Sequence, residues 1–426
     1  MKKVLIIAYY FPPMGMGGVQ RAFKFAKYLP SFGWQPIVLT VKEVNYFAKD
    51  HTLLEELPSD TKIIRTGSLD PLRVSHLLRK GKSLKGETYT TKKARFQSWM
   101  FFPDNKIGWI PFALSKGLKI CKREKIDLIF STSPPPSAHL AGYLLKKLTG
   151  KAWVADFRDL WIGFQYENYP TFLHRKLKEN LEKSIIVNAD AIITVSPGMS
   201  QRIRQFNLQA KKVQTITNGF DQEDFKTDYV KTENVFTILH SGTFSLDHNP
   251  IPFLIALENL LKRNAIDSEK IKFVHCGLSL GIDLEKLIEK RRLRRIFFPL
   301  GYLSHSQTIK QLKGADLLLL TTASHPQAEF ATTGKLFEYL AAKKPILAIV
   351  PKESFAARIV QLTESGTVIA PQEIGKIEEV ILSHYRRYYE NKIDFQTDEE
   401  AISQFERKHL ASKLVSLFNQ VLKNNP

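Results

Sequence analysis

The chain has 426 residues, enough for two hydrophobic cores of about 200 residues each, and carries a formal net charge of +20. Its two cysteines, Cys121 and Cys276, lie far apart in the sequence, which excludes a disulfide framework and a cysteine-rich metal site. No apolar run reaches the ~18 residues of a membrane-spanning helix, and Pro12-Pro13 follows the first apolar run without a signal-peptide cleavage site. We therefore expect a cytoplasmic protein, with peripheral attachment to the inner face of the cell membrane.

Strand-like and helix-like patterns alternate along the first half of the sequence, which predicts parallel βαβ units. Val19, Ala22 and Phe23 begin a helical spacing of apolar residues after the first strand. Gly33 is placed to end that helix. The predicted strands cover residues 3–8, 36–41, 62–65, 127–131, 152–156, 191–195 and 213–217.

The second half repeats this pattern after the turn-rich stretch 217–221, which we interpret as a linker between domains. The fold expected is α/β, with two doubly wound, Rossmann-like domains that face a central cleft. We assign residues 1–220 to the first domain and 221–398 to the second, with a C-terminal helix, 399–426, that crosses back onto the first. The predicted strands of the second domain cover residues 236–241, 272–275, 296–300, 316–320, 346–350 and 367–369.

Ligands of open parallel sheets bind beyond the carboxyl ends of the strands, so the loops at those ends are candidate sites. The loop YYFPPMGMGGVQ places Gly17 and Gly18 before a helix N-terminus, which favours anions, although a tight turn explains the glycines equally well. The loop STSPPPSAH carries His139, which fits a ligand-binding role or a structural one.

The motif ADFRDLW follows another predicted strand of the first domain. Asp156, Arg158 and Asp159 form a polar constellation there that suits hydroxyl recognition or a general base. The alternative is a cluster of ion pairs that satisfy one another and bind nothing. The sequence alone does not separate these two interpretations.

The second domain contains the strongest signal. Gly242 and Thr243 follow its first strand, where a glycine and backbone N–H groups suit a diphosphate. In TTGKLFEYLAAKKP, Gly334 begins a helix and Lys335 places a cation in its first turn. The helix macrodipole disfavours a cation at that position, which favours a binding role in which lysine and helix N-terminus hold a diphosphate together. Glu338, one turn later, is placed to reach an adjoining ribose.

Residues 73–126 concentrate the positive charge, with 14 basic residues against three acidic ones. Such a field attracts nucleic acid, anionic lipid or phosphorylated substrates. No nucleic-acid-binding motif accompanies the charge, so we predict no nucleic-acid partner. Basic residues interleaved with aromatic ones suit an anionic membrane surface, although the same rings also fit a core. The aromatic residues of this segment are Tyr89, Phe96, Trp99, Phe101, Phe102, Trp109 and Phe112.

The sequence resembles the retaining, family-4-like glycosyltransferases of bacterial surface-polysaccharide synthesis, which have the GT-B architecture. The resemblance extends from the first strand to about residue 350 and rests on motifs in the expected order. The matching pieces are YYFPPMGMGGVQRAFKFAKYLPSFGW, STSPPPSAHLAG, ADFRDLW, ADAIITVSPGM, ITNGFD, LHSGTF, GYLSHSQTIKQLKGADLLLL and GKLFEYLAAKKPIL.

The resemblance implies an acceptor-binding first domain and a second domain that binds a nucleotide-sugar donor. It implies that Gly242, Thr243 and Lys335 contact the donor phosphates and that Glu338 holds the ribose. It places the Gly17-Gly18 loop, His139 and the cluster 156–159 on the acceptor and sugar side. We take His139, Asp159 and Glu329 as the candidate catalytic residues, with Gly334 in the donor site and Asp156 and Arg158 on the sugar side.

Two positions depart from the family pattern. Many relatives carry two glutamates eight positions apart, whereas Phe330 stands eight positions before Glu338, and Glu329 stands nine before it. The arginine that often follows the SGTF-like turn is also missing, which leaves Lys335 as the main phosphate cation. The departure at Phe330 keeps a catalytically degenerate binding subunit open as an alternative.

The expected activity is transfer of a sugar from a nucleotide-sugar donor to a saccharide or lipid-linked acceptor. We expect retention of configuration, with the leaving phosphate oxygen assisting deprotonation of the acceptor. No cofactor is expected, because the nucleotide sugar is a substrate, and no metal is expected, because the sequence shows no metal-ligand cluster. Lys335, the helix N-terminus and the Gly242 turn are expected to stabilise the leaving group electrostatically. The alternatives are a GT-B-fold sugar-nucleotide epimerase or hydrolase, which needs no lipid acceptor, and a basic nucleic-acid-binding protein.

Overall fold

The computed structural model describes residues 1–46, 48–78, 101–162, 171–206, 212–226, 229, 231, 233–246, 248–322, 330, 333–392 and 394–425. The chain forms two compact units. Unit 1 comprises Met1–Thr217 and Arg407–Pro426, and unit 2 comprises Asn218–Glu406. Within the described parts of the chain, no helix is both long and apolar enough to cross a membrane.

A sheet of seven parallel strands forms the centre of unit 1, in the order β3-β2-β1-β4-β5-β6-β7. The strand order reverses between β1 and β4, so this is the point at which the loops diverge at the carboxyl edge. The strands are β1 (Lys2–Ile7), β2 (Trp34–Val41), β3 (Lys62–Thr66), β4 (Leu128–Ser133), β5 (Ala152–Phe157), β6 (Ala191–Thr194) and β7 (Val213–Thr215).

Helices cover both faces of this sheet, which is why β4 and β5 are buried along their whole length. The helices described for the N-terminal part of unit 1 are α1 (Gly17–Tyr28), α2 (Pro71–Leu78), α3 (Ile110–Arg123), α4 (Pro136–Thr149), α5 (Phe172–Asn188) and α6 (Pro197–Arg204). A short 3₁₀ turn extends α1, and Gly33 ends it in the left-handed conformation with φ 79°, as its position in the sequence predicted.

Unit 2 contains a second parallel sheet, of six strands in the order β10-β9-β8-β11-β12-β13, which reverses between β8 and β11. Its strands are β8 (Phe236–Ser241), β9 (Ile271–Cys276), β10 (Phe297–Gly301), β11 (Leu317–Thr321), β12 (Ile346–Ile349) and β13 (Gly366–Ile369). The helices described for unit 2 are α7 (Ile251–Lys262), α8 (Leu284–Lys290), α9 (His305–Gly314), α10 (Gly334–Ala342), α11 (Phe355–Leu362), α12 (Ile374–Tyr389) and α13 (Glu399–Ser403). Together the two sheets confirm the predicted pair of Rossmann-like domains, and the observed strands differ from the predicted ones only at their ends.

The last helix, α14 (Arg407–Asn424), belongs to unit 1. Phe418 lies edge-on to Trp34 and Phe130, with ring centroids 5.1 and 5.7 Å away, so the helix closes one face of the first sheet. The predicted helix over 399–426 is divided. Residues 399–406 stay with unit 2, because Ile402 and Phe405 are buried in its core and Phe405 packs 5.2 Å from Phe337.

Candidate functional site

The reversal of strand order in unit 2 brings the loops after β8 and β11 to the same part of the carboxyl edge. The loop after β8 begins with Gly242, and the chain after β11 returns as α10, which starts at Gly334. A Cβ added to Gly242 would lie 3.1 Å from Nζ of Lys335. Residues that are 93 positions apart in sequence therefore form one site, and the amine of Lys335 lies directly against the Gly242 turn.

The backbone of the Gly242 turn requires glycine. Its φ of 113° is a conformation that L side chains rarely adopt, and a Cβ there would lie tightly against the end of the Lys335 side chain. The N–H of Gly242 donates to the carbonyl of Cys276 over 2.7 Å, which fixes the turn on the neighbouring strand. Thr243 follows, half-buried. The turn offers close backbone approach to a ligand next to a cation.

Two histidines lie behind Lys335. The amine of Lys335 is 3.1 Å from Nε2 of His240, and Nδ1 of His240 is 3.2 Å from Nδ1 of His275. Burial, then the neighbouring Lys335, holds the pKa of His240 well below its usual range and lowers the pKa of His275 to about 4. Both rings are therefore uncharged at neutral pH. Sequence analysis missed both, although His240 is a polar residue inside an otherwise apolar predicted strand.

Lys335 itself is in an unusual electrostatic environment. Burial lowers its pKa to about 7, and the carboxylate of Glu338 opposes that shift. A bound anion would favour the charged form of the amine and raise the pKa again. At neutral pH, the amine of Lys335 is therefore only partly protonated unless an anion binds beside it.

Glu338 lies one turn after Lys335, on the second turn of α10. One of its carboxylate oxygens is 3.7 Å from Nδ1 of His305, and Nε2 of His305 is 2.9 Å from a carboxylate oxygen of Asp224. His305 is thus held between two acids of unit 2. Glu338 is half-buried beside His305.

Tyr339, in the second half of α10, anchors the helix to the sheet, whereas polar groups near the helix N-terminus lack hydrogen-bond partners among the described residues. The hydroxyl of Tyr339 accepts from the N–H of Ser241 over 2.8 Å and donates to the carbonyl of Leu319 over 3.2 Å, tying the helix to β8 and β11. Thr333 occupies the N-cap position of α10 without a side-chain cap bond. The buried hydroxyl oxygens that have no hydrogen-bond partner in the described structure include those of Thr321, Thr322 and Thr333. Such orphaned hydroxyls at a ligand edge are expected where a polar ligand completes the bonds.

In unit 1, Arg158 connects the loops at the reversal point of the first sheet. Its guanidinium donates to the carbonyls of Gly18, Ser133 and Pro134, the last over 2.8 Å. Gly17 and Gly18 begin α1, and a Cβ at either would meet no atom within 4 Å, so their surroundings are open. The loops predicted to bind the acceptor side are therefore held together by Arg158, on whose charge Asp156 and Asp159 of the same motif also act.

Asp156 is placed differently from Asp159. Asp156 is fully buried and forms a bidentate ion pair with Arg21, while Thr132 donates to it over 2.7 Å. Arg21 also donates to the carbonyls of residues 216 and 217. Asp156 therefore ties α1 to β5 and the end of unit 1, whereas Asp159 is exposed at the carboxyl edge.

His139 is fully buried near the start of α4, with Nδ1 2.8 Å from the hydroxyl of Ser131. Aromatic rings surround it, with Phe157 at 4.5 Å and Trp161 stacked at 5.9 Å. Its Nε2 has no hydrogen-bond partner in the described part of the chain. Burial, then the charge of Arg158, lowers the pKa of His139 to about 3, so the ring is neutral at physiological pH and suits hydroxyl recognition better than proton delivery.

Two predictions, the catalytic role of Glu329 and the membrane contact of residues 73–126, concern positions that lie wholly or partly outside the described residues. Glu329 is outside them, and so are Tyr89, Phe96 and Trp99 of the second prediction. Of the described rings in that segment, Trp109 is fully buried and donates to the hydroxyl of Thr66 over 2.8 Å, which makes it a core residue.

Two family models match the chain in succession. Residues 16–224 match Glycosyltransferase Family 4, and residues 221–392 match Glycosyl transferases group 1. The chain is a GT-B glycosyltransferase. The two matched regions meet beside the boundary between units 1 and 2, so each unit of this glycosyltransferase has its own family match.

Solved structures of similar fold cover almost the whole glycosyltransferase. Sucrose-phosphate synthase from Thermosynechococcus elongatus is 15% identical with a TM-score of 0.67, and each chain is covered to 100%. Anabaena HepE in complex with UDP is 14% identical with a TM-score of 0.64, over 99% of this chain and 100% of that one. The lipopolysaccharide outer core galactosyltransferase WaaB, in its apo form, is 15% identical with a TM-score of 0.54, over 99% of both chains. No curated protein matches the sequence.

Proposed function

We propose that this glycosyltransferase takes a sugar from a nucleoside-diphosphate sugar, and that its donor diphosphate binds between Lys335 and the Gly242 turn. The observation that carries the proposal is the 3.1 Å approach of the Lys335 amine to the position of a Gly242 side chain. The α10 N-terminus adds the partial positive charge of its free N–H groups. Relatives of the same fold bind such ligands, since HepE was solved with UDP and with UDP-glucose.

The same cluster supports catalysis by leaving-group stabilisation. When the bond to the anomeric carbon breaks, negative charge develops on the departing diphosphate. Lys335, the Gly242 turn and the α10 N-terminus are already oriented toward that charge, so little reorganisation is needed during the reaction. Glu338 holds the ribose in this proposal, and Gly334 and Thr243 complete the donor site.

We assign the sugar and acceptor side to unit 1. Gly17 and Gly18 offer open backbone, Arg158 holds their loop, and the neutral, buried His139 has an Nε2 without a hydrogen-bond partner among the described residues. Asp159 and Glu329 remain the proposed catalytic carboxylates. We propose retention with the leaving phosphate oxygen assisting acceptor deprotonation, without a metal, because Lys335 supplies the cation.

A lipid-linked acceptor of cell-surface polysaccharide synthesis fits a surface feature of α5. The first two turns of this helix expose Phe172 (77%) and Leu173 (62%) beside Arg175, Lys176 and Lys178. Helix α5 follows β5 and leads into β6, so it begins at the carboxyl edge of the sheet, where ligands bind. Apolar side chains flanked by cations suit the interface of an anionic membrane. WaaB, a relative of the same fold, acts on lipopolysaccharide outer core.

The decisive experiment incubates the purified protein with a panel of nucleotide sugars, each with and without lipid-linked saccharide acceptors and with EDTA. We expect one donor to be consumed only when an acceptor is present, with the sugar configuration retained and no effect of EDTA. Consumption without acceptor would instead identify a hydrolase or epimerase. Absence of both binding and turnover across the panel would refute the proposal.

A further inference from the structure

The amine at the donor site is the outer end of a three-residue contact chain in unit 2. Lys335 of α10 contacts Nε2 of His240 in β8 at 3.1 Å, and Nδ1 of His240 contacts Nδ1 of His275 in β9 at 3.2 Å. His240 and His275 are almost fully buried, whereas Lys335 is half-buried. Binding a diphosphate needs the lysine but does not by itself need the two histidines.

The chemistry of the three groups fixes the direction of the hydrogen bonds. A protonated lysine has three donors and no acceptor, so Lys335 donates and Nε2 of His240 accepts. A neutral His240 that accepts at Nε2 carries its proton on Nδ1, and that proton is donated to Nδ1 of His275. His275 then carries its own proton on Nε2, which has no hydrogen-bond partner among the described residues. With Lys335 charged, this arrangement of protons satisfies both contacts.

Packing fixes the plane of the central ring. Phe244 stacks on His240 with centroids 3.8 Å apart and an interplanar angle of 12°. The same phenyl ring stacks on His275 at 4.5 Å. His240 therefore cannot swing away from the lysine without breaking this stack. Its Nε2 lone pair has a fixed direction toward the amine.

We propose that His240 is a positioning residue for the donor site, whose neutral imidazole accepts from Lys335 and holds the amine at the Gly242 turn. His275 fixes the tautomer of His240 that makes this possible. The proposal rests on the proposed donor site, because it concerns how the diphosphate-binding cation is oriented and not whether a diphosphate binds.

The other charged and titratable groups around the chain are consistent with this role. Glu338 acts on Lys335 from the same helix and is itself next to His305 of α9. His248, in the loop after β8, acts on His240 and is 2.8 Å from the carbonyl of Thr321. The pKa of His240 is held low by burial and by Lys335, which keeps its acceptor nitrogen unprotonated.

Two substitutions of His240 test whether the residue positions Lys335 or only fills space in the core. In His240→Gln the side-chain amide reaches the place of Nε2, whereas in His240→Asn it reaches only the place of Nδ1. We expect His240→Asn to weaken binding of UDP, GDP or ADP, whichever binds best to the unsubstituted protein, by about tenfold, the effect of one lost hydrogen bond. We expect His240→Gln to restore most of the affinity, as measured by calorimetry.

The pH profile is the second readout. An acceptor at Nε2 favours the charged form of Lys335, so its loss lowers the pKa of the amine. The pH at which nucleotide affinity falls should therefore move lower in His240→Asn and stay in place in His240→Gln. Equal losses in both variants, with unchanged profiles, would assign His240 a purely structural role. If Lys335→Ala left nucleotide affinity unchanged, the donor site itself would be refuted.

A measurement on the unsubstituted protein covers the case in which a variant does not fold. Nitrogen-15 chemical shifts of labelled histidines distinguish the two neutral tautomers. We expect the Nδ1–H tautomer at His240 and the Nε2–H tautomer at His275 at about pH 6, where Lys335 is charged and both rings are neutral. An Nε2–H tautomer, or a protonated ring, at His240 would overturn the proposal whatever the variants do.

Discussion

Lys335 occupies a helix position that the macrodipole disfavours for a cation, and the Gly242 turn, His240 and Glu338 surround it there. We expect Lys335→Ala to weaken nucleotide binding by about 10- to 100-fold, because a charge-assisted hydrogen bond contributes about 1.5–3 kcal/mol. Lys376→Ala is the matched control, since Lys376 is also in the first turn of a helix, α12, but is 61% exposed. Equal effects of the two substitutions in calorimetry would contradict the assignment.

The lowered pKa of Lys335 gives donor binding a pH dependence. Burial favours the neutral amine, so the charged form is complete only below pH 7 and is lost as the pH rises through about 7. The affinity for a nucleoside diphosphate should therefore decline by up to about tenfold per pH unit above that value. Titrations from pH 6.5 to 8.5 check this. A flat profile in the unsubstituted protein would contradict it, and so would an equal decline in Lys335→Arg, whose guanidinium stays charged over this range.

The two acids of the DFRD motif have separable roles. Asp156→Asn leaves the buried charge of Arg21 uncompensated and should reduce the free energy of unfolding of unit 1 by about 3–5 kcal/mol. Asp159→Asn, two residues later and exposed, should change that free energy by less than about 0.5 kcal/mol while lowering turnover. Denaturant titration and activity assays on both variants test the distinction, which fails if Asp156→Asn is as stable as the unsubstituted protein.

At the scale of elements, α5 exposes two large apolar side chains, Phe172 and Leu173, beside three cations. We expect the double substitution Phe172→Ser and Leu173→Ser to reduce sedimentation with anionic phosphatidylglycerol vesicles by several-fold, because two exposed apolar side chains are removed beside three cations. Nucleotide binding should not change.

Leu148→Ser is the matched control for α5, because Leu148 is 60% exposed but lies in the last turn of α4, at the opposite edge of the sheet. It should sediment like the unsubstituted protein. Equal sedimentation of all the proteins would exclude α5 as the membrane contact. Binding to DNA in place of vesicles would revive the nucleic-acid alternative.

At the scale of the whole molecule, the chain leaves unit 1 at residue 217 and returns to it at residue 407. Before residue 407, Phe405 packs on Phe337 in unit 2. After it, Phe418 packs on Trp34 and Phe130 in unit 1. Each ring fills a core that the other does not reach. Residues 407–424 are thus part of the first core, although they are last in sequence.

All five tryptophans precede residue 218, so tryptophan fluorescence reports on unit 1. Phe418→Ala should lower the free energy of unfolding measured this way by about 3–5 kcal/mol, the usual cost of removing a buried phenylalanine. Phe405→Ala should change the fluorescence transition less than it changes the unfolding transition seen by far-ultraviolet circular dichroism, to which both units contribute. The reverse pattern would contradict the assignment of the two helices.

Much of the fold follows from short stretches of sequence. Parallel strands buried on both faces are continuous apolar runs, such as the LLLL of β11, so they were found wherever they occur. The strand-ending glycine at 242 and the helix-starting glycine at 334 likewise mark turns locally. The split at residue 406 was not predicted, because the apolar pattern continues through it and only the choice of core divides the two helices.

Sequence patterns were enough to predict two doubly wound sheets and the loops that carry the candidate site, and to propose Lys335 as the donor cation, because each rests on local periodicity or on one helix turn. Which side chains contact one another became clear only from the tertiary structure. In the structure, Asp156 forms an ion pair with Arg21, Lys335 contacts His240, and His240 contacts His275. The physical reason is that side chains from separate strands meet only when strand order brings those strands together, and strand order is not encoded in any short segment.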